Sequence, residues 1–274
     1  MVNPSRRVLP GFRRSLGFTL LYVSLFVLIP LAACVVKALS LSRAEFLAAA
    51  WTDRAKSAYW LTVSAAFVAA FVSMVFGSII AWVFVRYPFP LKRFFDALVD
   101  VPFALPTAVA GLVFSNMYVP SGWFGQFLAP LGIQVSYSFA GIVLVMTFTG
   151  FPFAVRALQP ILENLDAESE NAAALLGANR WQIFHRIIFP AVRPGLLAGF
   201  AMAFARGLGE YGAVIFIAAN IPGKSEIASL LIVNKLDEFK TAEATAIATL
   251  LLAASFTLLA IINVLERQTR RWDS

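Results

Sequence analysis

Apolar runs of roughly twenty residues, the length of a membrane-spanning helix, follow one another along this chain with short polar stretches between them. Six stand out: Leu16–Val36, Ala58–Val85, Ala97–Val119, Phe139–Leu158, Pro194–Ala219 and Thr245–Leu265. At about 1.5 Å of rise per residue, each can cross most or all of a hydrocarbon core about 30 Å thick. Lipid offers no partner to a backbone N–H or C=O, so runs of this kind must be helical. The short alternating strands of a membrane β-barrel do not occur in the pattern. The expected fold class is therefore all-α: a polytopic membrane helical bundle of six transmembrane helices.

Composition agrees with this pattern. Hydrophobic residues make up 60% of the chain and charged residues only 14%, against about 25% charged in an average soluble domain. The net charge of +7 comes from residues at the ends of apolar runs, not from one face of a folded domain, which argues against a nucleic-acid partner and for membrane lipid. The polar segments alternate in charge. One set holds Arg6, Arg7, Arg13, Arg14, Arg86, Lys92, Arg93, Arg156, Arg180, Arg186, Arg193, Arg267, Arg270 and Arg271; the other holds Lys37, Arg43, Arg54, Lys56, Lys224, Lys235 and Lys240. Cytoplasmic loops carry the excess of Lys and Arg, so both termini are expected in the cytoplasm, N-in and C-in. The implied division is a cytoplasmic segment 1–15, a transmembrane domain 16–266 and a cytoplasmic tail 267–274. Leu31-Ala32-Ala33-Cys34 has the look of a lipoprotein cleavage site, but Val35-Val36-Lys37 follows it in place of a polar tether, so an uncleaved first helix is expected. A single cysteine and a single histidine, His185, exclude an internal disulfide and leave no zinc ligand set.

One polar island, Glu170–Pro190, lies on the side assigned to the cytoplasm. Asp166 suits an N-cap, with Glu168 and Glu170 where the helix dipole favours negative charge. Asn171, Ala172, Ala173 and Ala174 continue a helix without bulk, Gly177 and Ala178 supply its hinge, and Asn179 with Gln182 forms a capping box for a second helix. Trp181, Phe184, Ile187 and Ile188 should share a face of that helix, and Pro190 is expected to stop it. These features fit a docking element for a soluble partner or an ordinary hairpin joining two spans.

The island resembles the cytoplasmic signature of ABC-importer permeases: a Glu-Ala-Ala run, a glycine, then Ile-x-Leu-Pro. Ala172, Ala173, Gly177, Ile187 and Pro190 match it, whereas Asn171 and Phe189 occupy its glutamate and leucine positions. Glu170 is one residue early, a rotation of about 100° on a helix. Beyond the island, Arg6–Phe12, Asp100–Gly111 and Gly209–Ile217 are similar to the sulfate/thiosulfate permeases, and most to their T-type subunit. The resemblance implies a type I, MetI-like permease fold with coupling helices at about 164–190, the residues Glu170, Asn171, Ala172, Ala173, Gly177, Ala178, Ile187 and Pro190 facing an ATPase. The partners it implies are a W-type permease subunit, two ATP-binding subunits and a periplasmic sulfate/thiosulfate-binding protein, in a bacterial inner membrane. It implies no cofactor in this chain, with ATP and Mg²⁺ held by the partner. A molybdate or tungstate permease is the nearest alternative, and an ATP-independent anion transporter or channel a more distant one.

Candidates for a translocation path are few. Arg206 falls well inside an apolar run, whereas Arg156 lies near the end of its own, and Arg206 is four residues from Glu210, which places the two on one helical face. Charge at that depth is costly and usually faces a bundle interior or water; the pair either supplies positive potential to an anion or neutralises itself. Pro102 and Pro106 should interrupt the third run, and Thr107, Ser115 and Asn116 add neutral hydrogen-bonding groups beside the break. Asp100 suits a cytoplasmic-end gate or a helix-end contact. Gly195 and Gly199 read as helix packing. Gly223-Lys224-Ser225 lacks the earlier glycine and the preceding strand of a P-loop. No nucleophile, acid–base or metal cluster suggests an enzyme.

Overall fold

The computed structural model describes residues 11–270, and these are entirely helical and loop, with no strand. Helix α1 (Phe12–Leu39) is followed by α2 (Arg43–Ala50), which opens on a capping box between Ser42 and Glu45. Helix α3 (Asp53–Arg86) is capped by Thr52 and runs for 34 residues. The third apolar run is divided into α4 (Lys92–Val99), α5 (Val101–Ala104) and α6 (Thr107–Tyr118). After the short α7 (Gly125–Leu128) come α8 (Phe139–Glu163), α9 (Ala167–Leu175) and α10 (Arg180–Leu208). The chain ends with α11 (Val214–Ile217), α12 (Ala228–Asp237) and α13 (Thr241–Arg270).

Small residues let the central helices α3, α8 and α10 approach closely. Ala65, Ala66, Ala69 and Ala70 of α3 are buried against Ile142, Val145 and Met146 of α8 and Ala203 and Phe204 of α10. Gly77 leaves room for Ala154, whose Cβ would lie 2.7 Å from a Cβ added there. Gly195 faces Ile161 and Leu158, and Gly199 faces Met74 and Ala157, so both glycines of the expected packing motif serve helix contact. Large apolar side chains are exposed around this core, Phe18, Phe26 and Phe256 on the outer helices and Phe67 and Phe71 on the outward side of α3. In water such a surface would be an aggregation liability; in lipid it is the outer face. Helix α1 leans on α13, where Cys34 Sγ sits 3.7 Å from Thr249 Oγ1.

Three expectations are corrected. Five helices, not six, are long and apolar enough to cross a membrane: Phe12–Leu39, Asp53–Arg86, Phe139–Glu163, Arg180–Leu208 and Thr241–Val264. The run Ala97–Val119 fails because proline and its preceding residue resist helix; it bends at Asp100 and opens at Leu105–Pro106. Its longest piece, α6, has 12 residues, about 18 Å at the helical rise. Second, Pro190 does not stop the second island helix. Arg180–Leu208 is continuous because Phe184–Ile188 adopts a π turn, with the Phe189 N–H donating to the Phe184 carbonyl five residues back. Widening the helix there accommodates Pro190, which has no N–H to place. Third, the run Pro194–Ala219 is not one helix: α10 ends at Leu208, and 209–213 is non-helical before α11. Glu210 therefore lies beyond the helix that carries Arg206.

Candidate functional site

The two interrupted runs meet. Gly111 on α6 lies so close to the Ala213 backbone that a Cβ there would collide with the Ala213 carbonyl oxygen, and Gly212 is equally close to Thr107 Oγ1. The segment 209–213 thus lies across the start of α6, where the backbone leaves helical geometry after Leu105. Broken helices at membrane depth need protein or water around their freed polar groups. Some of those groups are accounted for: Ser136 Oγ donates to the Ser115 carbonyl at 2.9 Å, and the Tyr137 N–H donates to the Ile217 carbonyl at 2.7 Å. Pro102 sits at the start of α5 and Pro106 just before α6. Asn116 is exposed, and its amide donates to Leu112 of its own helix at 2.9 Å. Of the candidate path residues, the fold brings Pro106, Thr107 and the Glu210 segment together; Asn116 lies at the far end of α6.

Arg206 and Glu210 pair with each other. Arg206 Nη1 is 2.6 Å from Glu210 Oε2, a charge contact without hydrogen-bond alignment. Glu210 is almost wholly buried, and its other carboxylate oxygen accepts the Ala213 N–H at 3.0 Å while Ser229 Oγ donates to its carbonyl at 2.7 Å. A buried carboxylate needs such compensation. The carboxylate fixes the non-helical turn and holds the guanidinium against it.

Three further charge clusters escaped the sequence. At the bend between α4 and α5, Arg156 of α8 gathers both Asp96 and Asp100. Its Nε and Nη2 donate to the two Asp100 oxygens at 2.9 and 2.6 Å, Nη1 to Asp96 Oδ1 at 2.7 Å and Nη2 to the Asp96 carbonyl at 2.9 Å; Gln159 adds a bond to Asp96 at 2.9 Å. Partial burial pushes the Asp96 carboxyl up, but the Arg156 and Gln159 hydrogen bonds outweigh this and hold it below its ordinary range. Asp100 thus makes a contact at the helix end. At the opposite end of the bundle, Arg54 binds Glu226 bidentately at 2.7 and 2.6 Å, and Asn234 donates to the same carboxylate at 2.9 Å. This group fastens the 220–240 loop to α3. The third cluster joins Arg86 to Glu170. A sequence signal existed for each, a charge beside an apolar run, but not its partner.

The island forms as its capping residues require. Asp166 accepts the Glu168 N–H at 2.8 Å, Gly177 has φ +83°, and Asn179 and Gln182 exchange hydrogen bonds at 2.9 Å. Ala172 and Asn171 are exposed, Ala173 and Ala178 half-buried, and no residue of α9 is buried. Leu175 and Leu176 are each 89% exposed. The shared face of the second helix is only partly used within the chain: Ile188 is buried and Ile187 half-buried, while Trp181 and Phe184 stay exposed. The island therefore presents a small-residue helix, a left-handed glycine and a cluster of uncovered apolar side chains.

A multi-pass helical bundle with interrupted helices at its centre and a helical element projecting from one end is a membrane transport component. Residues 73–271 match the family described as binding-protein-dependent transport system inner membrane component, and the chain belongs to that family. It is 48% identical over 267 residues to the sulfate transport system permease protein CysT of Salmonella typhimurium, covering 97% of this chain and 96% of that one. With the protein of the same description from Synechocystis sp. it shares 46% identity over 254 residues, 93% of this chain and 89% of the relative. Among solved structures, a bacterial alginate ABC transporter in complex with an alginate pentasaccharide-bound periplasmic protein superposes with a TM-score of 0.75 at 15% identity, covering 94% of each chain. At that identity the likeness concerns the fold.

Proposed function

We propose that this chain is a membrane-spanning permease subunit of an ATP-driven importer of sulfate and thiosulfate. The observation that carries the reading is 48% identity across 97% of the chain with a sulfate transport permease. A periplasmic binding protein delivers the anion to the loops at 220–242 and around Trp123, which is 77% exposed. The anion passes the joint of broken helices near Pro106 and Thr107, where neutral donors suit an oxyanion that stays ionised. The elements at 164–190 seat in a cytoplasmic ATPase subunit; ATP binding there moves them and turns the cavity outward, and hydrolysis resets it. The bare Leu175 and Leu176 and the small-residue face of α9 support that role. A homologous W-type permease completes the channel and two ATP-binding subunits hold ATP and Mg²⁺. Both termini face the cytoplasm of a bacterium, across its inner membrane.

The test is uptake of radiolabelled sulfate by cells that lack their own sulfate permease and express this chain with its companion subunits. Saturable uptake is expected, competed by thiosulfate and abolished when the ATPase subunit is omitted. Uptake blocked by molybdate but indifferent to unlabelled sulfate replaces this reading with the molybdate or tungstate importer. Undiminished uptake without any ATPase subunit replaces it with an ATP-independent transporter.

A further inference from the structure

Helix α9 buries no side chain, so apolar packing does not fix its direction. It runs between the turn at 164–166 and Gly177, whose left-handed backbone ends the helix, with the Gly177 and Ala178 N–H groups donating to the Ala174 and Ala173 carbonyls. An ion pair ties it to the membrane body: Glu170 pairs with Arg86, the last residue of α3. Among the described residues this is the only ion pair made by α9. Neither partner is free to wander. The Arg86 guanidinium stacks over the Trp82 ring at 4.9 Å, and the two side chains retain 23% and 20% of their exposure. Such half-buried, stacked arginines hold direction better than a solvated pair, and loss of one partner leaves the other charge poorly compensated.

What Arg86 is attached to gives the contact its meaning. Helix α3 is continuous from Asp53 to Arg86 and close-packed along its length. Gly77 meets Ala154 of α8, Met74 lies against Gly199 of α10, and Ala66 lies against Gly207 of α10. At its far end Arg54 holds the buried Glu226 of the opposite loop. A displacement of α9 transmitted through Glu170 would therefore act on the bundle core and not on a peripheral helix.

We propose that Glu170 and Arg86 form the transmission link of this permease: Glu170 is a positioning residue that faces Arg86 within the chain, and through it the docking element moves α3. The proposal rests on the reading of 164–190 as the ATPase-docking element. It also gives Glu170 a task separate from the motif position held by Asn171, which is exposed.

The experiment uses the complete importer, with its companion permease and ATPase subunits, reconstituted in proteoliposomes. Arg86→Glu, Glu170→Arg and the double reversal are compared for ATPase co-purification, ATP hydrolysis and sulfate uptake. Arg86→Glu, which lies outside the docking element, is expected to keep the ATPase subunit bound and hydrolysing while uptake per ATP falls at least about tenfold; Glu170→Arg is expected to lower uptake per ATP as much in the complexes that retain the subunit. The double reversal is expected to recover at least half of wild-type coupling. Coupling unchanged in both single variants overturns the proposal, as does loss in both without recovery in the double, or a loss that merely tracks loss of bound ATPase. Failure of the wild-type complex to hold an ATPase subunit would instead defeat the docking reading beneath it.

Discussion

At the scale of single residues, the chemistry is set by where charge is tolerated in a chain with little water around it. Arg156 shows this most plainly: five donors in a rigid fork suit two carboxylates and a backbone carbonyl at once, and Asp96 and Asp100 lie one turn apart at a bend that presents both. The cluster is about one-third exposed at Arg156, so solvent screens part of its value. Arg156→Gln should cost about 1–2 kcal/mol, between an exposed pair and a buried one, read as a lower midpoint of thermal unfolding for the purified complex. Asp96→Asn should cost less, since Asp100 keeps two of the bonds. The pH dependence follows from the lowered Asp96 value. A carboxyl held below its unfolded value stabilises the fold above the ordinary carboxylate range, and that contribution disappears as pH falls through the depressed native value. Arg156→Gln should therefore flatten the acid limb of the stability profile and leave its neutral plateau lower.

Elements obey a different arithmetic, in which glycine positions decide how near two backbones come. Gly111 and Gly209 are four residues or fewer from the same joint, yet they face opposite circumstances. A Cβ at Gly111 would enter the Ala213 backbone, whereas nothing lies within 4 Å of one at Gly209. Backbone cannot rotate aside as a side chain can, so Gly111→Ala must open the joint, at a cost of about 1–3 kcal/mol for overpacking. Gly209→Ala should be close to neutral. Uptake by cells expressing each variant at matched membrane levels checks the pair: Gly111→Ala is expected to lose most activity and Gly209→Ala little. The difference between these glycines was not legible in the sequence, because it depends on a partner more than a hundred positions away. The capping residues were legible, since Asp166, Asn179, Gln182 and Gly177 act within a turn of themselves. Pro106 signalled a break correctly and Pro190 a stop wrongly; a π turn four residues upstream, which leaves no mark in the hydropathy pattern, separates the two outcomes. Arg206 and Glu210 were found as a pair but placed on one helix, because apolarity continues through 209–217 while helical geometry does not.

For the whole molecule the informative quantity is the distribution of charge between its two ends. In the sequence, Arg13, Arg14, Arg86, Lys92, Arg93, Arg156, Arg180, Arg186 and Arg193 belong to the set that includes the docking element, and Lys37, Arg43, Arg54, Lys56, Lys224, Lys235 and Lys240 to the other. The second group is more completely paired: Arg54 with Glu226, Lys235 with Glu238 and Glu243, and Lys240 with Glu238. The positive-inside rule counts Lys and Arg and not their pairing, and on that count the island end is the one expected in the cytoplasm. Five crossings would leave the termini on opposite sides, so N-in and C-in requires the pieces α4, α5 and α6 of the broken third run to cross together. Two side chains mark the ends without being needed for packing: Leu175 at 89% and Phe239 at 92% exposure. In a Cys34→Ala background, Phe239→Cys should react with a membrane-impermeant maleimide in intact spheroplasts, and Leu175→Cys only after permeabilisation. Once the inner face is open, adding the ATPase subunit should slow labelling at Leu175→Cys at least about fivefold if that leucine is covered on docking, a loss of access of about 1 kcal/mol, and leave Phe239→Cys unchanged. Labelling of Leu175→Cys in intact spheroplasts would invert the orientation. Protection of neither position by the ATPase would move the docking surface off α9, and with it the reason for two bare leucines beside a hinge glycine.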